Sequence, residues 1–356
     1  MYRDATVAVV VPAYNEADHV GGVVETLPSF VDRAYVVDDC STDDTWSVVS
    51  EHADLRREGG IADPPEPTVT AAQSGGAAPS SDAEWPRVVA VRHRENRGVG
   101  GAIKTGYRLA LADGMDATVV MAGDGQMDPD HLDRILDPVV AGRAEYAKGT
   151  RFSGPEHRSG MSRWRRFGSW LLTGLTRVST GYWDVEDTQN GYTAISGSAL
   201  SRIRIRELYE GYGFLNDLLA ELSRVNARVV EVPHPARYGD ERSEIRYRTF
   251  VPALSTLLLA NFVARLRRTG AARPLDPAVV GYVLGGVGTV VACLAAVAVL
   301  VGAAAGVRIS PVWTVPTALA VGGVCAAAGL AADARLGTRS ANRPRGTGDP
   351  DGGDGT

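Results

Sequence analysis

"DATVVMAGDGQMDP", residues 116–129, runs from an apolar stretch straight into Asp124, Gln126 and Asp128. A plain loop uses Gly and Asp only to turn. The alternative places Asp124 and Gln126 at the carboxyl edge of a sheet, where ligands bind in open α/β folds. Three other stretches repeat the pattern of a buried strand followed by polar groups. "TVAVVV" leads into "PAYNE", "AYVVDD" into "CSTDDT", and "RVVAVRH" into "NRGVGGA". Between them, "DHVGGVVETLP", "STDDTWSVVSEH", "GGAIKTGYRLALADG" and "DPDHLDRILDPVVAG" carry helical spacing. Strands alternating with helices imply an α/β fold with a mainly parallel sheet flanked by helices. Ser41 or Thr42 is placed to cap the second helix, and Asp39 either caps it or faces a ligand beside Asp38.

A chain of 356 residues fits a core domain plus an appendage. Its net charge of −5 advertises no basic face, so no nucleic-acid partner is expected. Cys40, Cys293 and Cys325 are too scattered for a disulfide framework or a zinc site. The opening "MYRDATVAVVVPAYNE" does not read as a signal peptide, so the N-terminal portion is expected in the cytoplasm. Residues 56–84, rich in Gly, Pro, Ala and Ser, read as a flexible insertion.

The C-terminal third changes character. Residues 277–306 contain no charged side chain and exceed the roughly 20 residues needed to cross a bilayer. A second apolar run covers 311–332. Arg265, Arg267, Arg268 and Arg273 precede the first run, Arg335, Arg339, Arg343 and Arg345 follow the second, and the intervening loop holds only Arg308. This bias places both ends in the cytoplasm. The expected organisation is a domain over 1–245, an amphipathic juxtamembrane helix over 246–270 and a two-helix transmembrane hairpin over 277–334. A disordered tail covers 335–356. The helix at 246–270 reads either as a core helix or as one lying on the lipid surface.

"GVGGAIKTG", residues 98–106, misses the P-loop because Ile103 stands where glycine must precede Lys104. It misses the dinucleotide fingerprint for lack of a third glycine. A tight turn feeding a helix is expected, with amide ends that favour phosphate.

"PAYNE", "VDDCSTDDT", "NRGVGGA" and "AGDGQMDP", in this order at successive strand ends, resemble the family 2 inverting glycosyltransferases of the GT-A fold. Within them the likeness is closest to dolichyl-phosphate mannose and glucose synthases, and it runs from about residue 6 to 250. The resemblance implies a nucleotide-sugar set of Pro12, Tyr14, Glu16, Val36, Asp38, Gly123 and Asp124. It makes Asp124 and Gln126 ligands of a Mg²⁺ or Mn²⁺ ion; Ala122 replaces the first aspartate of the family's D-x-D, so diphosphate oxygens and waters would complete the shell. "KGTRF", "RRFGS" and "ARYGDERSEI" resemble its anion-binding segments, making Arg151, Arg165, Ser169 and Arg237 the acceptor-phosphate set. Asp187, in "DVEDTQNGYTAIS", falls at the family's acidic acceptor-side motif and is expected to act catalytically or to orient the arginines; Gln189 accompanies it. Asp217 is expected to support neighbouring arginines.

The resemblance thus implies hexose transfer from a nucleotide sugar to polyprenyl (dolichyl) phosphate at the cytoplasmic face of the cell membrane. Rival readings are a transferase acting on a glycolipid or polysaccharide hydroxyl, a non-catalytic nucleotide-sugar-binding membrane protein, and a nucleotidyltransferase. Oligomeric state has no signature in the sequence.

Overall fold

Seven strands form one sheet in the order β3-β2-β1-β4-β6-β5-β7, seen in a computed structural model that describes residues 1–53, 87–151, 163–234, 247–304 and 314–341. The strands are β1 (Val7–Ala13), β2 (Arg33–Asp38), β3 (Arg87–Arg92), β4 (Ala117–Val120), β5 (Tyr146–Thr150), β6 (Thr193–Ser196) and β7 (Val229–Pro233). Only β6 runs against its neighbours. The helices are α1 (Val20–Glu25), α2 (Thr45–Glu51), α3 (Val99–Ala112), α4 (Leu132–Val140), α5 (Arg163–Thr180), α6 (Gly197–Leu200), α7 (Phe214–Arg224), α8 (Tyr247–Ala272), α9 (Pro277–Ala304) and α10 (Thr314–Ala341). The insertion expected at 56–84 lies outside the described residues.

β1 is buried along its whole length, as a continuous run of β-branched residues covered on both faces must be. On one face, Val7, Val9, Val11, Val36, Val119 and Met121 share a core with Val20, Val24, Leu132, Ile135 and Leu136 from α1 and α4. Each such side chain contributes about 1.5–3 kcal/mol when fully buried. On the other face α3 presses onto β1, with Gly106 against Val10 so closely that no Cβ fits between them. β2 and β4 flank β1 on opposite sides, so the strand order reverses there and a crevice opens at the carboxyl ends of β1 and β4.

The chain divides into two compact units, residues 1–180 with 185–265, and residues 181–184 with 266–356. The first unit takes in much of α8. Leu254 and Leu258 are buried, Asn261 Nδ2 donates to Asp217 Oδ1 (2.8 Å), and Arg265 donates to the Val178 carbonyl (2.6 Å). Asp217, expected to support arginines, accepts from Asn261 and the Tyr209 amide, and its charge adds to those that favour the protonated Arg204. Val251 and Leu259 of α8 are exposed.

In the second unit α9 and α10 pack through small residues. A Cβ on Gly288 would come within 2.7 Å of Gly322 Cα, so only glycine permits this backbone approach. Large apolar side chains, Leu294 and Val324 among them, point away from the helix pair. An apolar surface of this extent suits lipid rather than water. α8, α9 and α10 are each long and apolar enough to cross a membrane, one more helix than the expected hairpin. α10 continues helically to Ala341, into the stretch read as a disordered tail; the residues beyond lie outside the described set.

Candidate active site

The register of the sheet lines up one row of residues along its carboxyl edge. Arg92, Asp38 and Ala13 are direct partners across β3, β2 and β1. Beyond the last ladder pair, the Gly123 amide donates to the Pro12 carbonyl (3.1 Å), and a Cβ on Gly123 would lie 3.2 Å from that of Ala13. Asp124 therefore emerges beside the end of β1, at the crevice. Its Oδ1 accepts from the Gln126 amide (3.0 Å), a tight turn that needs Gly125 at φ +71°. This turn is the reason an apolar strand runs into Asp-Gly-Gln.

Loops after β1 and β2 are stitched together. Asn15, at φ +57°, donates its amide to Ser41 Oγ (3.0 Å) and accepts from the Thr42 amide (2.9 Å), while the Glu16 amide donates to Thr45 Oγ1 (2.8 Å). Ser41 and Thr42 are thus occupied by the "PAYNE" loop instead of capping α2. Asp44 takes the N-cap position, and Asp43 Oδ1 accepts from the Thr45 amide (3.0 Å). Tyr14 is exposed and Glu16 half-buried beside this seam.

Asp38 has no exposed surface. Oδ1 accepts from the Ser41 amide (3.0 Å); Oδ2 lies 3.0 Å from Arg92 Nε, off the line of the N–H, and receives no aligned hydrogen bond. Arg92 in turn stacks on Trp46, 5.6 Å from the ring centroid. A buried carboxylate oxygen lacking an aligned donor at a sheet edge suits a ligand N–H or O–H. Val36, expected in the nucleotide-binding set, is wholly enclosed in the core against α1 and α4. Pro12 is likewise buried, and it acts through its carbonyl. Asp39 neither caps a helix nor faces outward; it accepts from the Arg97 amide (2.9 Å) and pairs with His93 Nδ1 (2.6 Å), whose Nε2 meets Thr105 (2.9 Å).

The glycine cluster at 98–101 proves to be a backbone crossing. A Cβ on Gly100 would lie 2.6 Å from the Glu210 carbonyl oxygen, which accepts from the Gly101 amide (3.2 Å). A protein carbonyl occupies the helix end expected to favour phosphate. Lys104 secures the crossing, donating to the Arg206 and Leu208 carbonyls (2.9 Å each) and to Glu210 (2.8 Å). Burial works to raise the Glu210 carboxyl, but Lys104 and Arg97 hold it below the usual range.

On the other side of the crevice, Asp187 is buried and forms a two-pronged pair with Arg151. Nε donates to Oδ2 at 2.8 Å and Nη2 to Oδ1 at 3.0 Å, and the Arg151 amide adds a third bond (3.2 Å). Burial pushes the Asp187 carboxyl upward, but Arg151 and then Lys148 hold it below the usual range. A carboxylate so held is a poor base. Gln189 Nε2 donates to Asn216 Oδ1 (3.1 Å), and Asn216 Nδ2 to Thr176 of α5 (2.7 Å), tying this segment to two helices. Asn190 joins His234 at the end of β7 (2.6 Å). Arg165 and Ser169 fall on α5 one turn apart; Arg237 lies outside the described residues.

Arg92, Lys148, Asn190 and His234 were not singled out from the sequence as site residues. Lys148 had a signal: one of only two lysines in the chain, it sits inside a strand whose other residues are all buried.

A protein-family model described as glycosyl transferase family 2 matches residues 8–63 and 69–204, more than half the chain. The chain belongs to glycosyl transferase family 2. The transferase is similar to a UDP-N-acetylglucosamine–dolichyl-phosphate N-acetylglucosaminyltransferase of Methanococcus voltae, at 27% identity over 67% of this chain and 88% of that protein. It is also similar to an undecaprenyl-phosphate mannosyltransferase of Micrococcus luteus (28% identity; 64% and 82% covered). A polyprenol monophosphomannose synthase of Mycolicibacterium smegmatis is 29% identical, with 63% and 75% covered. The transferase therefore has the GT-A fold of its family, with the Arg92–Asp38–Gly123 row and the Arg151–Asp187 pair both at the carboxyl edge of its sheet.

Proposed function

We propose that the transferase moves a hexose from a nucleotide sugar, GDP-mannose or UDP-glucose, to a polyprenyl phosphate, inverting the anomeric centre. The observation that carries this reading is the Arg151–Asp187 fork, which fixes a guanidinium at the same sheet edge as Asp38 and Asp124. Three relatives whose names specify polyprenyl or dolichyl phosphate support the acceptor class.

An anionic acceptor explains why an orienting carboxylate suffices. A phosphate monoester with its second pKa near 6 arrives already ionised and needs little general-base help. The task left to the protein is to bring two anions together. A guanidinium offers five donors in a fixed fork, so one arginine can hold a carboxylate and a phosphate at once. Asp187 keeps Arg151 from collapsing onto the donor diphosphate. At the donor side, Asp38 is suited to accept from the nucleobase or ribose.

Asp124 and Gln126 fit a divalent cation, Mg²⁺ or Mn²⁺, whose shell substrate oxygens complete: one carboxylate with diphosphate and water is an ordinary Mg²⁺ set. Among the described residues no three His, Cys, Asp or Glu converge as a protein-only cage. When bound, the ion would neutralise charge on the departing diphosphate. Asp124 would hold it, with its turn fixing the carboxylate.

Lipid-linked substrate and apolar helices belong together, since an isoprenoid tail stays in the bilayer. We read α9 and α10 as the two spans, with α8 on the lipid surface. The catalytic unit and both termini are then cytoplasmic, in keeping with the arginines flanking the hairpin. A panel of nucleotide sugars with polyprenyl phosphate and with the corresponding polyprenol tests the reading. Transfer confined to the phosphate is expected; transfer to the alcohol or to a glycolipid hydroxyl would remove it.

A further inference from the structure

Lys148 is fully enclosed in the sheet, yet the reaction outlined above assigns it no part. It lies in β5 between its register partners Thr193 of β6 and Glu231 of β7. From there Nζ donates to the Asp187 carbonyl and to the Asn190 carbonyl (3.2 Å). Glu231 grips the same segment from the other side, its Oε1 accepting from the Glu186 amide (2.8 Å) and the Asp187 amide (2.9 Å). The peptide that carries the Asp187 carboxylate is thus clamped between one buried cation and one half-buried anion.

We infer that Lys148, in its charged form and together with Glu231 on the other side, is a positioning residue that holds the 187–190 segment so that Asp187 presents Arg151 to an anionic acceptor. The inference rests on the acceptor reading of Arg151. Placement within about 1 Å decides how well such a clamp works, so a second layer that locks the first is physically required. An apolar residue here would leave both carbonyls without this donor inside the protein. Burial also pushes the ammonium down to about 8, against the pull of Asp187 and Glu231 and with the repulsion of Arg151. These three are the charged groups in play around it; Ala147, its neighbour in β5, points to the opposite face, toward the core that includes α4. Loss of the proton above that pH removes the attraction that fastens the segment and part of the support for the ionised Asp187.

The experiment is the pH dependence of the kinetic constants of the full-length transferase in detergent, with polyprenyl phosphate and a saturating nucleotide sugar, from pH 6.5 to 9.5. For the wild type, the acceptor KM is expected to rise by about tenfold through pH 8, with the donor KM unchanged. Lys148→Met is expected to show the raised acceptor KM at every pH and to lose the rise. Glu231→Gln keeps an oxygen for the two amides but removes one of the two negative charges that favour the protonated lysine, so the rise should move to lower pH. A Lys148→Met profile that still rises at pH 8, or a Glu231→Gln profile that superimposes on the wild type, overturns the inference while leaving the acceptor reading intact. Absence of any transfer to polyprenyl phosphate overturns both. A merely structural lysine would shift thermal stability and amplitude, and would leave the position of the pH limb untouched.

Discussion

Asp187 and Arg151 show how one residue pair can separate orientation from catalysis. The carboxylate is held ionised well below the usual range, and a group that gives up its proton so readily is unsuited to take one from a substrate. Asp187→Asn should therefore raise the acceptor KM and lower kcat/KM by about a hundredfold without creating a new requirement for alkaline pH. A pH–rate profile checks this: an activity regained at high pH would instead mark Asp187 as the base. Arg151→Lys keeps the charge and loses the fork, and is expected to be nearly as damaging as Arg151→Ala. The same groups shape stability. Because the Asp187 pKa is lowered by folding, its contribution is present above the unfolded carboxyl pKa and is lost as pH falls through the folded value. Lys148 has the same sense in a higher window: its folded pKa is also depressed, so the wild type should gain stability relative to Lys148→Met as pH rises from about 8 toward the ordinary lysine range. Activity falling while stability rises over one interval is a combination that global unfolding cannot produce.

At the scale of elements, the edge row explains why residues far apart in the chain meet. Three parallel strands deliver Arg92, Asp38 and Ala13 by register, and the Gly123 amide bond to the Pro12 carbonyl extends the row past the end of β4. The glycine turn at 98–101 works by contact: Gly100→Ala would drive a Cβ into the Glu210 carbonyl, and a loss of about 1–3 kcal/mol is expected in thermal or denaturant unfolding. An unchanged midpoint would mean that the crossing opens freely. The first four strands, their helices and the ligand edge were legible in the sequence, because β-branched runs ending in polar groups report burial and termination at once. Caps were less legible. Ser41 and Thr42 have the right chemistry for α2, yet a tertiary partner, Asn15, claims them. Depth was less legible too: Val36, two residues before a strand end, shares a face with Asp38 but lies one step deeper, inside the core. Lys148 itself stood out in the sequence, but its partners did not, because they are backbone carbonyls, which the sequence does not distinguish from any others.

For the whole molecule, the proposed function makes lipid both the solvent for α9 and α10 and the source of the acceptor. With α9 and α10 as the spans, the sequence between them, 305–313, is expected on the outer side of the membrane. Ser310→Cys, in a background lacking Cys40, Cys293 and Cys325, should then react with a membrane-impermeant maleimide applied to intact cells. Protection until the cells are broken would reverse the orientation. The exposed Val251 and Leu259 face of α8 should make the catalytic unit adhere to vesicles even without the hairpin, and Leu259→Glu should reduce that adhesion about tenfold.

The most direct measurement separates the two halves of the edge: binding of the nucleoside diphosphates GDP and UDP with Mg²⁺, and the acceptor KM, for Asp124→Ala and Arg151→Ala beside the wild type. Asp124→Ala should abolish Mg²⁺-dependent nucleotide binding, and Arg151→Ala should leave it intact while raising the acceptor KM by about a hundredfold. Metal-dependent nucleotide binding that survives the loss of Asp124, or disappears with Arg151, would contradict the account.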